Sequence, residues 1–163
     1  MTDQSMPWHD RDFWEGYAKS PDYSERINLI CELIPSEVSS VLDVGCGKGE
    51  VINAISHRSN NKIYCMATDI SSISLAYVQT PRVVSKLPWL PFKDKSFDLV
   101  VCLEVIEHLD HDIYIKTLSE LQRIAKKYII AGVPYKENLR ELHNRCINCK
   151  KIFHPYGHQR NFR

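Results

Sequence analysis

Apolar runs of four to seven residues alternate along the chain with segments in which apolar positions recur every three or four residues. Residues 41–44 and 97–103 are the clearest runs, and their β-branched residues without internal turn formers predict buried strands. Residues 110–126 carry a continuous apolar stripe that predicts a helix. Strands that alternate with helices in this way predict an α/β fold, a doubly wound parallel sheet of about five strands.

The other predicted elements are weaker but keep the same alternation. A helix begins at Ser20 and Pro21, which suit a cap and a first turn, and ends before Pro35. The remaining elements are a short helix around residues 51–55, strands over residues 62–68, 82–84 and 128–133, and a helix over residues 71–79. An aromatic N-terminal arm precedes them, with Trp8, Phe13, Trp14 and Tyr17.

Three glycines at alternate positions follow the first strand, in the order D-x-G-x-G-x-G. Glycine lets a chain turn sharply from a strand into a helix, and the free N–H groups of that helix attract a ligand against bare backbone. The dinucleotide spacing G-x-G-x-x-G would need glycine where the chain has Glu50. The pattern therefore predicts a ligand site that does not hold a nicotinamide dinucleotide.

Asp69 closes the second predicted strand, 26 residues after Asp43. An acid at this place in a nucleotide-binding α/β domain accepts hydrogen bonds from the two hydroxyls of a ribose. The alternative is that Asp69 caps the next helix, since Ser71 and Ser72 follow. Together with the glycine turn, the ribose role is the favoured interpretation.

On these residues the chain resembles class I S-adenosylmethionine-dependent methyltransferases, of the type 11-like group. The resemblance covers residues 22–134 and implies a Rossmann-like methyltransferase fold with S-adenosyl-L-methionine as cofactor. It implies that the residues of the glycine turn hold the methionine end of the cofactor and that Asp69 holds its ribose. The implied cofactor-binding set is Asp43, Gly45, Cys46, Gly47, Gly49, Asp69, Ile70, Leu87 and Glu104.

Residues 85–98 resemble the segment of this superfamily that lies along the adenine. Many members carry an aspartate just before it to meet the adenine amino group, where this chain has Ser85 and Lys86. The adenine is therefore expected to meet backbone groups, at Leu87 above all, or the Ser85 hydroxyl.

The sequence E-x-x-E-H follows the fourth predicted strand, at the sheet edge where open α/β folds place ligand-facing residues. If the chain turns helical there, Glu104, Glu107 and His108 share one face. One interpretation is that they brace the cofactor loop. The other is a metal half-site or a general base, for which Glu104 and His108 are the catalytic candidates. Small-RNA 2′-O-methyltransferases and ubiquinone-pathway O-methyltransferases are similar at this position.

Composition adds the cellular setting. No apolar run approaches the roughly 18 residues of a membrane helix, and the polar start is no signal peptide, so the expected location is cytoplasmic, without a membrane partner. Cys31, Cys65 and Cys102 lie in apolar segments, which indicates reduced core residues. Residues 134–163 carry about five net positive charges, whereas the rest of the chain is acidic.

The C-terminal tail loses the strand–helix alternation and carries a pattern of metal ligands. Two thiols two residues apart precede two imidazoles, a set that could complete a tetrahedral, structural Zn²⁺ site. Its four residues are Cys146, Cys149, His154 and His158. By the resemblance to small-RNA methyltransferases, His154 or His158 could instead join Glu104, Glu107 and His108 around another divalent metal.

These observations divide the chain into a cofactor-binding domain over residues 1–134 and a basic Cys/His extension over residues 135–163. Class I methyltransferases usually add two more strands after the fifth, so the resemblance suggests either that this chain is a truncated piece, which is the favoured interpretation, or that the Cys/His tail replaces that edge of the sheet. The favoured function is methyl transfer to a small-molecule acceptor whose nucleophile is oxygen, nitrogen or carbon. The alternatives are an RNA-modifying or RNA-binding protein, with Tyr156 and Phe162 as stacking candidates, and a domain that binds cofactor or zinc without catalysis.

Overall fold

The computed structural model describes residues 21–134, 144–145, 152–153, 159–160 and 162. Its centre is a five-stranded parallel sheet in the order β3-β2-β1-β4-β5. The strands are β1 Ser40–Val44, β2 Tyr64–Asp69, β3 Arg82–Val84, β4 Phe97–Leu103 and β5 Ala125–Gly132. The predicted fold class, a doubly wound parallel sheet, is confirmed.

Helices connect the strands in the alternation that the sequence predicted. They are α1 Pro21–Glu32, α2 Glu50–Arg58, α3 Ser72–Leu75 and α4 His111–Ile124, with a 3₁₀ turn at Ile106–His108 between β4 and α4. None of the helices formed by the described residues has the length and apolar character that crossing a membrane requires.

Both faces of the sheet are buried, because alternate side chains of the central strands enter two separate apolar clusters. On one face, Val41 and Leu99 pack with Ile52 and Ile55 of α2. The opposite face has a matching cluster that contains Leu42, Val100, Cys102, Leu121 and Ile124. The continuous apolar runs of β1 and β4 follow from this double burial, since a strand covered on both sides has no polar face.

Two elements differ most from the predicted ones. Helix α3 is a single turn where residues 71–79 were predicted helical, because residues 76–78 donate to carbonyls three positions back and tighten the chain into turns. Strand β5 begins at Ala125, directly after α4, where a start at residue 128 was predicted. Pairing of Ala125 with Phe97 draws Lys126 and Lys127 into the strand.

The direction of the chain across the sheet changes between β1 and β4. β1 pairs with β2 on one side and with β4 on the other. The chain therefore leaves the carboxyl end of β1 toward β2, and it leaves the carboxyl end of β4 toward the opposite side of the sheet. Open α/β sheets bind ligands in the crevice outside such a switch point. Beyond the sheet, Asn144–Arg145 and Ile152–Phe153 form a short antiparallel pair, β6 and β7.

Candidate functional site

The glycine turn lies at the switch point, directly after β1. Gly45, Gly47 and Gly49 all adopt positive φ angles, of 74°, 56° and 81°, which residues with a side chain rarely adopt. The amides of Gly45 and Cys46 both donate to the Thr68 carbonyl of β2, at 2.8 and 3.1 Å. The neighbouring strand therefore holds the turn in place.

The three glycines serve different purposes. A Cβ atom at Gly45 would lie 2.3 Å from Val105 Cγ2, and one at Gly49 would lie 2.7 Å from Val78 Cγ2, whereas one at Gly47 would meet nothing within 4 Å. Gly45 and Gly49 let protein elements pack closely. Gly47 alone presents bare backbone to open space, which is where a ligand can approach.

Asp69 links the carboxyl end of β2 to the glycine turn. Its Oδ2 atom accepts the Gly47 amide at 2.9 Å, and its Oδ1 atom accepts the Ser71 amide at 2.8 Å. The cap of α3 is Ser71, whose hydroxyl accepts the Ser74 amide, so the alternative of Asp69 as the helix cap is wrong. Each carboxylate oxygen has further lone-pair capacity, and Asp69 can therefore still accept a ribose diol.

Asp43 is a buried acid at the end of β1, with a side chain only 3% exposed. Burial raises its pKa to about 7, and the charges of Asp69 and Glu50 add to the effect. The neighbouring Cys46 thiol also has a pKa well above its ordinary value, mainly through burial, so it is not a nucleophile at neutral pH. A cationic ligand beside Asp43 would favour its charged form.

Several residues were predicted to lie at the adenine end of the cofactor. They follow the carboxyl ends of β2 and β3. Ile70 follows Asp69 and is 60% exposed, so its apolar side chain is available to a ring. Leu87 packs partly against the second apolar cluster and precedes a cis proline peptide. The Ser85 hydroxyl lies 2.5 Å from the Thr68 hydroxyl, and the Ser85 amide donates to the backbone carbonyl of Asp69. These contacts hold the serine against the sheet.

The predicted helical face over Glu104, Glu107 and His108 is wrong. Glu104 has a φ angle of 53°, and within the E-x-x-E-H segment the helical geometry is limited to the 3₁₀ turn at Ile106–His108. The Glu104 carboxylate accepts a hydrogen bond from Arg26 of α1 at 2.8 Å, in a half-buried ion pair. Sequence reasoning missed Arg26, because nothing local to α1 indicates that it reaches the end of β4.

Glu107 lies within the 3₁₀ turn and is buried, with a side chain that is 1% exposed. Its carboxyl interacts with its own backbone amide and with the Glu104 carboxyl. Burial, first of all, and the charge of Glu104 raise its pKa to about 8. The imidazole of His108 has its Nε2 atom 3.9 Å from Glu107 Oε1.

The end of the chain returns to this loop. The Gln159 amide donates to the Glu107 carbonyl at 2.8 Å, and the Arg160 guanidinium donates to the Leu109 carbonyl at 3.0 Å. The same guanidinium lies over the Tyr114 ring, 3.8 Å from its centroid, within the range of a cation–π contact. Gln159 and Arg160 therefore contact the loop that carries Glu107.

The comparisons with known proteins agree with this geometry. The family described as "Methyltransferase domain" matches residues 42–129, from β1 into β5, and so includes the glycine turn, Asp69 and the loop after β4. The chain belongs to this methyltransferase family. Membership of this family supports S-adenosylmethionine as the cofactor of the domain.

Relatives of this methyltransferase domain occur in archaea and bacteria. An uncharacterized protein of Methanocaldococcus jannaschii is 32% identical over 161 residues, which cover 88% of this chain and 68% of that protein. A ubiquinone biosynthesis O-methyltransferase of Rickettsia bellii is 32% identical over 99 residues, 53% of this chain and 40% of that enzyme. The chain thus spans less than half the length of the Rickettsia enzyme.

Solved structures share the fold at low sequence identity. A protein from Pyrococcus horikoshii superposes with a TM-score of 0.64 at 21% identity, over 85% of this chain and 66% of that one. An S-adenosylmethionine-dependent methyltransferase from Thermotoga maritima, named as a possible histamine N-methyltransferase, has the same score and identity, over 82% and 63%. At such identities the likeness supports the fold of this methyltransferase alone.

The metal predictions for this methyltransferase concern two places. Within the part of the chain that the structure describes, no group of three or more His, Cys, Asp and Glu side chains could hold a metal ion, so Glu104, Glu107 and His108 do not form the predicted half-site among themselves. The predicted zinc ligands Cys146, Cys149, His154 and His158 lie outside the described residues, and the zinc site stays a prediction.

Proposed function

We propose that this chain transfers the methyl group of S-adenosylmethionine to a small-molecule acceptor at the crevice between β1 and β4. The observation that carries the proposal is the junction of Gly47 and Asp69. Gly47 presents open backbone, and Asp69 accepts its amide while keeping capacity for a diol. Bare backbone beside a carboxylate suits a ligand that has both an amino-acid end and a ribose.

Charge supports the same placement. The donor is a sulfonium cation, and the acids at the crevice face it from three elements: Asp43 at the end of β1, Asp69 at the end of β2 and Glu104 after β4. A positive charge beside the buried Asp43 offsets the cost of ionising that carboxyl. Methyl transfer itself then depends mainly on alignment of the donor with the nucleophile.

The acceptor is proposed to enter from the side of β4 and β5, where Glu104, Glu107 and His108 lie. The Rickettsia relative is by name an O-methyltransferase, which supports an oxygen nucleophile. Glu104 and His108 were the predicted base candidates. The ion pair with Arg26 makes Glu104 better suited to positioning the loop, because its charge is already engaged.

Calorimetric titration with S-adenosylmethionine tests the donor site. Wild type is expected to bind, Asp69→Ala to bind about 10- to 100-fold more weakly through the loss of two charge-assisted hydrogen bonds, and Gly47→Arg not to bind. The matched control is Asp112→Ala, an exposed acid in the first turn of α4, which should bind as wild type does. Absence of binding by wild type would overturn the proposal.

A further inference from the structure

A cavity of about 480 Å³ lies at the amino end of the sheet. Among its lining residues, Val38 and Ser39 come directly before β1, and Ile63 comes directly before β2. The proposed donor site lies at the carboxyl ends of the same strands. Since β1 has five residues, the two places are separated by roughly 15 Å of strand. The cavity is therefore distinct from the donor site.

The walls of this cavity combine an apolar floor with a charged rim. The floor consists of Ile34, Val38, Ile55 and Ile63, which belong to or pack against the apolar cluster on the α2 face of the sheet. The charged lining residues, which are solvent-exposed, come from the end of α2 and the segment after it. A volume of this size and a mainly apolar lining with a few polar groups are typical of sites for small molecules.

The two cations of the rim, Arg58 and Lys62, have no acidic partner. No Asp or Glu lines the cavity, and within the described part of the chain neither cation forms a salt bridge. The Arg58 guanidinium donates to the neutral side-chain amide of Asn28. Burial raises the pKa of the Cys31 thiol, and the neighbouring Arg58 opposes this rise more strongly than the exposed Glu32 adds to it. The rim therefore keeps a net positive charge.

The hydroxyls of the cavity are mostly engaged within the protein. The Ser39 hydroxyl donates to the Asp98 carboxylate at 2.6 Å, and the Ser59 hydroxyl donates to the Ser56 carbonyl at 2.9 Å. The exposed Ser36 hydroxyl has no described partner and is available as a donor. Recognition of an anionic head group consequently falls to the two cations and this serine.

The surrounding helices limit the charge that such a head group can carry. Helices α1 and α2 end at Glu32 and Arg58, so the carboxyl ends of both helices, which are the negative ends of their dipoles, lie beside the cavity. A dianion such as phosphate is disfavoured there. A carboxylate carries a single charge, and its two oxygens suit the paired N–H groups of a guanidinium.

We propose that this cavity binds a small amphipathic carboxylate, with its head group between the Arg58 guanidinium and the Lys62 ammonium. The apolar chain or ring of the ligand lies on the floor formed by Ile34, Val38, Ile55 and Ile63. Burial of that chain supplies most of the affinity, and the cations select the anion. The inference goes beyond the proposed methyl transfer and does not depend on it.

Calorimetric titration of the full chain with octanoate tests the site. Octanoate is expected to bind saturably. Octanol and inorganic phosphate should each bind at least about 10-fold more weakly, because one lacks the charge and the other lacks the chain. Butyrate should also bind at least about 10-fold more weakly, since it buries fewer methylene groups. Saturating S-adenosylmethionine should leave the octanoate affinity within about twofold.

Variants of the rim separate this site from nonspecific binding. Arg58→Gln and Lys62→Gln should each weaken octanoate binding about 3-fold, and the double variant about 10-fold, as expected for exposed ion pairs. The matched control is Lys116→Gln, an exposed lysine of α4 on the other face of the sheet, which should bind octanoate as wild type does.

Several results would overturn the inference. They are the absence of saturable octanoate binding by wild type, equal affinities for octanoate and butyrate or octanol, unchanged binding by the double variant, and displacement of octanoate by S-adenosylmethionine. If wild type binds octanoate but not S-adenosylmethionine, the proposed function fails and this inference stands.

Discussion

At the scale of single residues, Asp43 couples the proposed donor site to the stability of the fold. Its folded-state pKa of about 7 lies above the ordinary aspartate value, because the side chain is buried beside Asp69 and Glu50. A carboxyl with a raised pKa contributes stability that is present below its unfolded pKa and is lost as pH rises through the folded one. The ionised carboxyl thus lowers the stability of the cofactor-free protein at neutral pH, and the cation of the proposed donor would offset this cost.

Asp43→Asn is therefore expected to change the pH dependence of unfolding. Relative to wild type, the variant should gain stability as pH rises from about 4 to about 7, by an amount on the order of 4 kcal/mol, since the amide has no charge to bury. Urea unfolding of the cofactor-free proteins at several pH values measures the difference. Parallel stability curves for the two proteins would contradict the prediction. The same variant should bind S-adenosylmethionine more weakly at pH 8.

The glycines of the turn offer a matched pair of substitutions. Gly45→Ala should destabilise the protein by about 2–4 kcal/mol, because the new methyl group meets Val105 and the φ angle is left-handed. Gly47→Ala places its methyl group in open space at a comparable, positive φ angle. It should lower the free energy of unfolding by only about 1 kcal/mol. Urea unfolding compares the two. Equal losses would mean that the loop after β4 does not pack on Gly45 as the structure has it.

At the scale of elements, α4 is the helix that covers the second face of the sheet, and its start and end are well defined. Asp110 caps it, with a carboxylate oxygen that accepts the Ile113 amide at 3.0 Å. At its end, Arg123 pairs with Glu120 and Asp94 and donates to the Phe92 carbonyl, which ties the helix to the loop before β4. These contacts fix the orientation in which Leu121 and Ile124 enter the core.

Asp110→Ala should lower the free energy of unfolding by about 1 kcal/mol through loss of the cap. Asp112→Ala, two residues further on, removes an acid of the first turn that is not the cap, and should cost only a few tenths of a kcal/mol. Chemical denaturation of both variants distinguishes the two effects. A loss for Asp112→Ala as large as that for Asp110→Ala would assign the effect to charge rather than to capping.

At the scale of the whole molecule, the methyltransferase family matches residues 42–129, and the predicted zinc ligands of the C-terminal extension lie outside the described residues. The described residues after β5 nevertheless return to the loop after β4, through Gln159 and Arg160. Gln159 and Arg160 therefore contact the loop that carries Glu107 and Leu109.

Elemental analysis of the purified protein is expected to find one zinc per chain, because two thiolates and two imidazoles at this spacing suit a tetrahedral site. The double variant Cys146→Ser/Cys149→Ser should lose the metal. The control variant Cys31→Ser removes a thiol of α1, which is far from the tail in sequence, and this variant should retain the zinc. Zinc at full occupancy in the double variant, or none in wild type, would show that the four residues are not a zinc site.

The amino-acid sequence by itself determined the alternation of strands and helices, the glycine turn and the acid at the end of β2. These are local signals, since burial on both faces makes a strand continuously apolar and a turn with positive φ angles requires glycine. Residues 97–103 and 82–84 were predicted with the bounds that the structure has. The lengths of α3 and β5 were not, because turn bonds and pairing with β4 overrode local preference.

Only the tertiary structure decided which groups meet. Arg26 reaches Glu104 across 78 positions of the chain, Val105 fills the space that Gly45 leaves, and the Glu107 side chain is 1% exposed. The E-x-x-E-H spacing predicted a shared helical face, whereas Glu104 has a positive φ angle and the 3₁₀ turn begins only at Ile106. Such contacts depend on distant elements brought together by the sheet, and no local pattern in the sequence records them.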